Sequence, residues 1–239
     1  MSFDSYASEY DAHLGKGIRL SGEDKEFFAR GRLAAAATYL HHSGIRPRRI
    51  VEFGCGIGTN LSLIAELWPE CDVVGLDQST QSLEVASRIS SSRRIRLMTP
   101  EKYVLTVEGL ADWVFCNGVF HHIPVADQDA AFRSISSMLG PGGAFTLFEN
   151  NPYNPGARWV MNRIPFDRDA KMINPYRLKA TMRRLEFKGL ECRFFFVFPR
   201  FLSALRALEP YIERLPAGAQ YGIFGLRPPQ LTRGLAPTV

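Results

Sequence analysis

The chain is 239 residues long, 46% hydrophobic and 22% charged, an ordinary size and balance for a globular domain with one sizeable core. No apolar run reaches the ~18–20 residues that span a bilayer, Met1–Tyr10 does not read as a signal peptide, and Cys55, Cys71, Cys116 and Cys192 are too scattered for disulfides or a zinc site, so reduced thiols in a cytoplasmic protein are expected. The net charge of +5 sits in separate knots, at Arg46, Arg48 and Arg49, at Arg93, Arg94 and Arg96, and at Arg183 and Arg184, which suits a solvated basic surface better than a nucleic-acid groove and leaves attraction to an anionic substrate or membrane open.

In chain order, Ser21 with Asp24 three residues on is a helix-start signal ahead of Glu26–Tyr39, and Gly44 ends that helix. Ile50–Phe53 reads as a strand. Thr59–Trp68 carries Leu61, Ile64, Ala65 and Trp68 at helical spacing, closed by Pro69. Asp72–Leu76 is a second strand, and Ser79–Ser90 a helix with Ser79 as N-cap. Ile95–Met98 and Trp113–Cys116 are the third and fourth strands. The helix Asp127–Leu139, a turn at Gly140–Gly143 and the strand Ala144–Glu149 follow. Beyond Asn150 the pattern predicts a helix over Pro175–Leu185, an aromatic strand Cys192–Phe198, an amphipathic stretch Phe201–Leu215 and a last strand Gln220–Leu226. Strands alternating with helices imply an α/β fold: a doubly wound, mostly parallel seven-stranded sheet with helices on both faces. Residues 1–44 form an N-terminal helical extension placed as a lid, 45–227 the main domain, and 228–239 a flexible tail.

The most informative segment is Val51-Glu52-Phe53-Gly54-Cys55-Gly56-Ile57-Gly58-Thr59-Asn60. A strand turning sharply into a helix needs residues tolerant of unusual dihedrals, and glycine also lets backbone approach a nucleotide-like ligand closely. Asp77 lies about twenty residues on, where a carboxylate can accept bonds from ribose hydroxyls. The dinucleotide fingerprint wants its third glycine where Thr59 stands, and no phosphate-binding lysine makes a P-loop.

Glu52, Gly54, Gly56 and Gly58, with Asp112–Pro124 and Leu139–Gly143, resemble the class I S-adenosylmethionine-dependent methyltransferases, in particular small-molecule enzymes of the type 11 and 12 kind. The resemblance covers roughly residues 45–150, the cofactor half, and leaves 150–227 as acceptor-side elements. It implies S-adenosylmethionine as cofactor, held by Glu52, Phe53, Gly54, Cys55, Gly56, Gly58, Asn60, Asp77, Gln78, Asn117, Gly118 and Val119. Families of this kind often place an acid after the third strand. Here Met98-Thr99-Pro100-Glu101 has none directly there, so no adenine contact is assigned.

Methyl transfer is a displacement at carbon, so alignment supplies much of the rate, and a hydroxyl nucleophile additionally wants a base. His122, or failing that His121, is the base candidate, because histidine titrates near working pH; Glu149 is a further catalytic candidate. Asn150, Asn151, Tyr153 and Asn154 are expected to bind a polar, small-molecule acceptor. Adjacent histidines are expected to point apart, and no metal is expected. The aromatics of Phe194–Phe198 belong by alternation in the core, while a surplus can line an apolar pocket or touch a membrane, which admits a lipid-linked acceptor. Two other functions remain: a cofactor-binding module without turnover, and a dinucleotide-dependent oxidoreductase, against which the glycine spacing argues.

Overall fold

The computed structural model describes residues 21–89, 94–106, 109–162 and 171–228. Its sheet has seven strands: β1 Arg49–Phe53, β2 Asp72–Leu76, β3 Ile95–Met98, β4 Ala111–Asn117, β5 Leu139–Asn150, β6 Lys188–Phe195 and β7 Gln220–Leu226. They lie in the order β3-β2-β1-β4-β5-β7-β6. Pairings from β3 across to β5 are parallel, and β7 runs antiparallel to both β5 and β6. The helices are α1 Lys25–His42, α2 Thr59–Leu67, α3 Thr80–Ile89, α4 Pro100–Thr106, α5 Gln128–Met138, α6 Pro155–Met161, α7 Pro175–Arg184 and α8 Glu209–Ile212.

Side chains alternate across a strand, so a central strand must be apolar on both faces. On β4, Val114 and Cys116 enter one core layer with Phe132 and Ile135 of α5 and Leu178 of α7. Trp113 and Phe115 enter the other, against Leu33 and Ala36 of α1 and Leu61 and Ile64 of α2. The indole of Trp113 donates to Thr146 Oγ1 at 2.9 Å, which satisfies its one polar atom in this dry layer.

The expected elements are present, with four differences. Asp24, not Ser21, caps α1: its side chain accepts from Phe27 N at 2.8 Å, while Ser21 Oγ takes Glu23 N. The expected turn at Gly140–Gly143 lies within β5, whose first residue Leu139 pairs with Ala111 before a register shift. Two short helices, α4 and α6, stand in segments to which no element was assigned. The strand predicted over Cys192–Phe198 begins at Lys188 and ends at Phe195. It stops because Phe196 adopts φ +64°, an outlier for a bulky residue. That turn sends its ring onto α1, against Phe27 and Phe28. Ser79 caps α3 as expected, accepting from Ser82 N at 3.1 Å.

The basic knots pair with acids where the parallel strands begin: Arg49 and Arg96 with Asp72, Arg94 with Glu70. Arg184 pairs with Asp129. The four cysteines are free thiols, and among the described residues no helix is long and apolar enough to cross a membrane. Residues 1–20, Ser90, Arg93 and the expected tail from 229 lie outside the described residues.

Phe196 occupies the space above Gly31 of α1, where a Cβ would lie 2.6 Å from the ring. Gly31→Val is therefore expected to lower stability by about 1–3 kcal/mol. Urea denaturation checks this, and an unchanged midpoint would show that α1 does not dock on this turn.

Candidate active site

The parallel strands deliver their carboxyl ends to one edge of the sheet, where ligands of such folds bind. There β1 turns into α2 through Gly54, Gly56 and Gly58, all with positive φ. Gly54 N and Cys55 N both donate to Leu76 O at 2.8 Å, which ties the loop to β2. Asp77 ties it again: Oδ2 accepts from Gly56 N at 2.8 Å and Oδ1 from Ser79 N at 2.9 Å. These two bonds place the Asp77 carboxylate at the carboxyl end of β2, against the glycine loop. A Cβ on Gly54 would collide with Val119 of the loop after β4, whereas one on Gly56 would meet nothing within 4 Å. Gly54 is thus a packing glycine, and Gly56 faces open space.

Behind the loop Glu52 is buried, and its Oε1 accepts from Asn60 Nδ2 at 2.7 Å. Glu52 Oε2 and Asn60 Oδ1, also buried, have no hydrogen-bond partner. Burial pushes the Glu52 carboxyl from 4.5 up to about 8, with Asn60 and the Arg32 guanidinium opposing the shift. Two orphaned acceptors in a low-dielectric site call for a cationic donor, and the α-ammonium of S-adenosylmethionine has that chemistry. The cradle therefore fits the cofactor. Sequence reasoning did not single out Arg32. It is buried on the apolar stripe of α1 beside Ala29, Leu33 and Ala36, and its Nη1 donates to Gln220 Oε1 at 3.0 Å. A lone arginine on a buried helix stripe was the available signal.

Of the other residues expected around the cofactor, Cys55 is buried, with its thiol pushed up by burial. Phe53, Asn117, Gly118 and Val119 are half-buried, and Gln78 is exposed. Thr99, after β3, caps α4 through Lys102 N at 3.3 Å.

The loop after β4 closes into a 3₁₀ turn over Phe120–His122. Glu149, buried at the end of β5, forks across it: Oε1 accepts from Phe120 N at 2.7 Å, and Oε2 meets His121 Nδ1 at 2.6 Å. In the neutral imidazole, donation of Nδ1–H to the carboxylate leaves the lone pair on Nε2 of His121. The tight turn brings the two imidazoles together, with ring centroids 4.0 Å apart, where adjacent histidines were expected to point apart. Gln128 holds the turn from below by donating to Phe120 O and Ile123 O, and Arg177 of α7 holds Gln128. Among the described residues no group of three or more His, Cys, Asp and Glu could hold a metal.

In the loop after β5, Asn151 is 0% exposed. Its Nδ2 donates to Pro216 O and Gly218 O, and its Oδ1 accepts from Tyr153 N. Asn154 caps α6 through Ala157 N and donates to Ala217 O. Both amides are committed to the loop's own shape. Asn150 accepts from Gln220 Nε2 at 3.3 Å, and the exposed Tyr153 accepts at its hydroxyl from Asn174. Asn150 also donates to Met161 Sδ at 3.9 Å, and of the four expected acceptor residues Tyr153 alone is exposed.

Residues 51–145 match the Methyltransf_12 family model, a methyltransferase domain. A trans-aconitate 2-methyltransferase of Methylobacterium radiotolerans is 30% identical over 101 residues, 42% of this chain and 37% of that protein. This chain thus spans less than half the length of the curated relatives it matches. A SAM-dependent methyltransferase from Archaeoglobus fulgidus superposes with TM-score 0.65 at 17% identity, covering 87% of this chain and 97% of its own. Phosphoethanolamine N-methyltransferase 2 of Haemonchus contortus, in complex with S-adenosyl-L-methionine, superposes with TM-score 0.61 at 19% identity over 95% of this chain and 60% of its own. At these identities the likeness establishes the fold.

The raised Glu52 carboxyl has a pH signature. The folded chain keeps a proton there that the unfolded chain releases above about 4.5, so this group's contribution to stability is complete at low pH and lost as pH rises to about 8. Glu52→Gln cannot ionise and should flatten the fall in melting temperature of the ligand-free protein across that window. Parallel pH profiles for the two proteins would contradict the burial of this carboxyl.

Proposed function

We propose that the chain, whose residues 51–145 match a methyltransferase domain, is a class I S-adenosylmethionine-dependent methyltransferase that methylates a hydroxyl of a small molecule, with His121 as general base and Glu149 as its orienting partner. The observation that carries this reading is the buried Glu149–His121 pair at 2.6 Å, at the carboxyl edge of the sheet beside the glycine loop. A hydroxyl barely ionises near neutral pH, so removing its proton as the new bond forms lowers the barrier. Nε2 of His121 takes that proton. Glu149 fixes the tautomer and stabilises the imidazolium, as the carboxylate of a Ser-His-Asp triad does. S-adenosylmethionine supplies an electrophilic methyl on a sulfonium. Glu52 and Asn60 hold its ammonium, Asp77 its ribose, and Gly54, Gly56 and Gly58 let the backbone lie close to it. Phe53, Cys55, Gln78, Asn117, Gly118 and Val119 border the same cradle. Tyr153, the exposed residue of the loop after β5, faces the acceptor. His121 replaces His122 as the first base candidate because it is the one Glu149 orients.

A second reading has its own support. The relatives named trans-aconitate 2-methyltransferases suggest a carboxylate acceptor, which needs no base. In that case the His121–Glu149 pair only shapes the turn. The two readings separate on one substitution.

His121→Ala should lower turnover about 10²–10⁴-fold under the hydroxyl reading while leaving cofactor affinity nearly unchanged. Turnover near that of the wild type would favour a carboxylate or an amine. On the cofactor side, Asp77→Ala should weaken S-adenosylmethionine binding by about 1–3 kcal/mol, and Gly56→Val should weaken it further by filling the open space above the loop. Calorimetric titration checks both, and wild-type affinity in either variant would remove that residue from the cradle.

A further inference from the structure

The segment from Arg200 to Leu215, a 3₁₀ helix over Arg200–Leu208 followed by α8, is turned inside out. Glu209, Glu213 and Arg206 face the domain. Glu209 Oε1 accepts from Val197 N and Phe198 N at 3.0 and 2.9 Å. Arg206 donates to Phe198 O and to Glu23, and lies 4.6 Å over the ring of Phe27. Glu213 pairs with Arg193. The apolar side chains point outward: Phe201 is 79% and Tyr211 85% exposed, and Leu202, Leu205, Leu208 and Leu215 are exposed with them. A single exposed leucine is ordinary on a protein surface, but six large apolar groups on one short segment mark a contact surface.

We propose that this segment docks the protein onto an anionic lipid surface. The charge on the segment fits that occupant. Its two acids, Glu209 and Glu213, are drawn inward, and the exposed ionic groups left at its ends are Arg200 and Arg214. Aromatic and leucine side chains bordered by arginines are the composition of interfacial elements that lie in the headgroup region. The chain's net charge of +5 adds long-range attraction to such a surface. The segment also lies at the site edge of the sheet, between the end of β6 and the start of β7, and the backbone just past it, at Pro216, Ala217 and Gly218, holds Asn151 and Asn154 of the loop after β5. Docking through this segment sets the acceptor side of the site against the lipid headgroups. The contact stands apart from the methyltransferase reading, because it is measured without cofactor or turnover.

The test is flotation of the full chain with vesicles of phosphatidylcholine containing about one-third phosphatidylglycerol, against vesicles of phosphatidylcholine alone. The wild type should float with the anionic vesicles and be released by salt. Phe201→Ser/Tyr211→Ser should weaken that binding about tenfold or more, with melting temperature and cofactor affinity unchanged, and Arg214→Gln should weaken it less. A wild type that floats with neither vesicle, or a double variant that floats as well as the wild type, overturns the proposal. So does a double variant that loses only a self-association seen by light scattering, which would make the occupant a second copy. A double variant that loses only thermal stability also overturns it, since the face would then pack within the chain.

Discussion

Burial of Glu52 is the costly feature around which the cofactor side is built. A carboxylate at the end of a central strand, nearly without solvent, disfavours its own charge, and one bond from Asn60 does not compensate. The surrounding parts are arranged about that cost. Arg32 places a positive charge nearby, Asp77 fixes the glycine loop, and the second oxygen of Glu52 is left unpaired. A fold that needed only stability would be served better by an apolar residue there. The unpaired oxygen is intelligible as half of an interaction that a bound cation completes.

The acceptor side is organised by a second buried carboxylate, which is fully engaged. Glu149 holds a backbone amide and an imidazole at once, so the turn that follows β4 cannot shift without breaking a charge-assisted bond. Gln128 and Arg177 extend that hold to α5 and α7, and Asn151 extends the neighbouring loop to the backbone before β7. Positioning of this kind suits a displacement reaction, where a fraction of an ångström in alignment matters more than any single contact. The N-terminal helix and the residues just before it join both sides: Arg32 reaches Gln220, Gln220 reaches Asn150, and Glu23 reaches Arg206 on the outward-facing segment.

Much of the fold was legible because its signals are local. Alternating apolar strands and 3.6-period helices announced the sheet and its crossovers, and three glycines after a β-branched strand announced the loop. The missed helices were legible too: Thr99-Pro100 and Asn154-Pro155 are each a cap residue followed by proline at the first helical position, which is a helix-start signal. Other features depend on tertiary placement. Nothing local to His121 and His122 says which one Glu149 will orient, because the carboxylate arrives from another strand. Asn151 and Asn154 looked like ligand groups, yet carbonyls 67 and 63 residues away claim them. The stretch Phe201–Leu215 has the periodicity of a core helix and points its apolar side outward, because the backbone amides after β6 recruit Glu209 instead.

The central claim is that the cradle around Glu52 receives a cation at the cofactor's amino-acid end. Titration of the full chain with S-adenosylhomocysteine, repeated near pH 7 in buffers of different ionisation enthalpy, tests it directly. The account predicts saturable binding by one ligand per chain with release of a proton, because a carboxyl held near 8 ionises when an ammonium lands beside it. A folded chain that shows no heat of binding, or binding whose enthalpy is the same in every buffer, would contradict it.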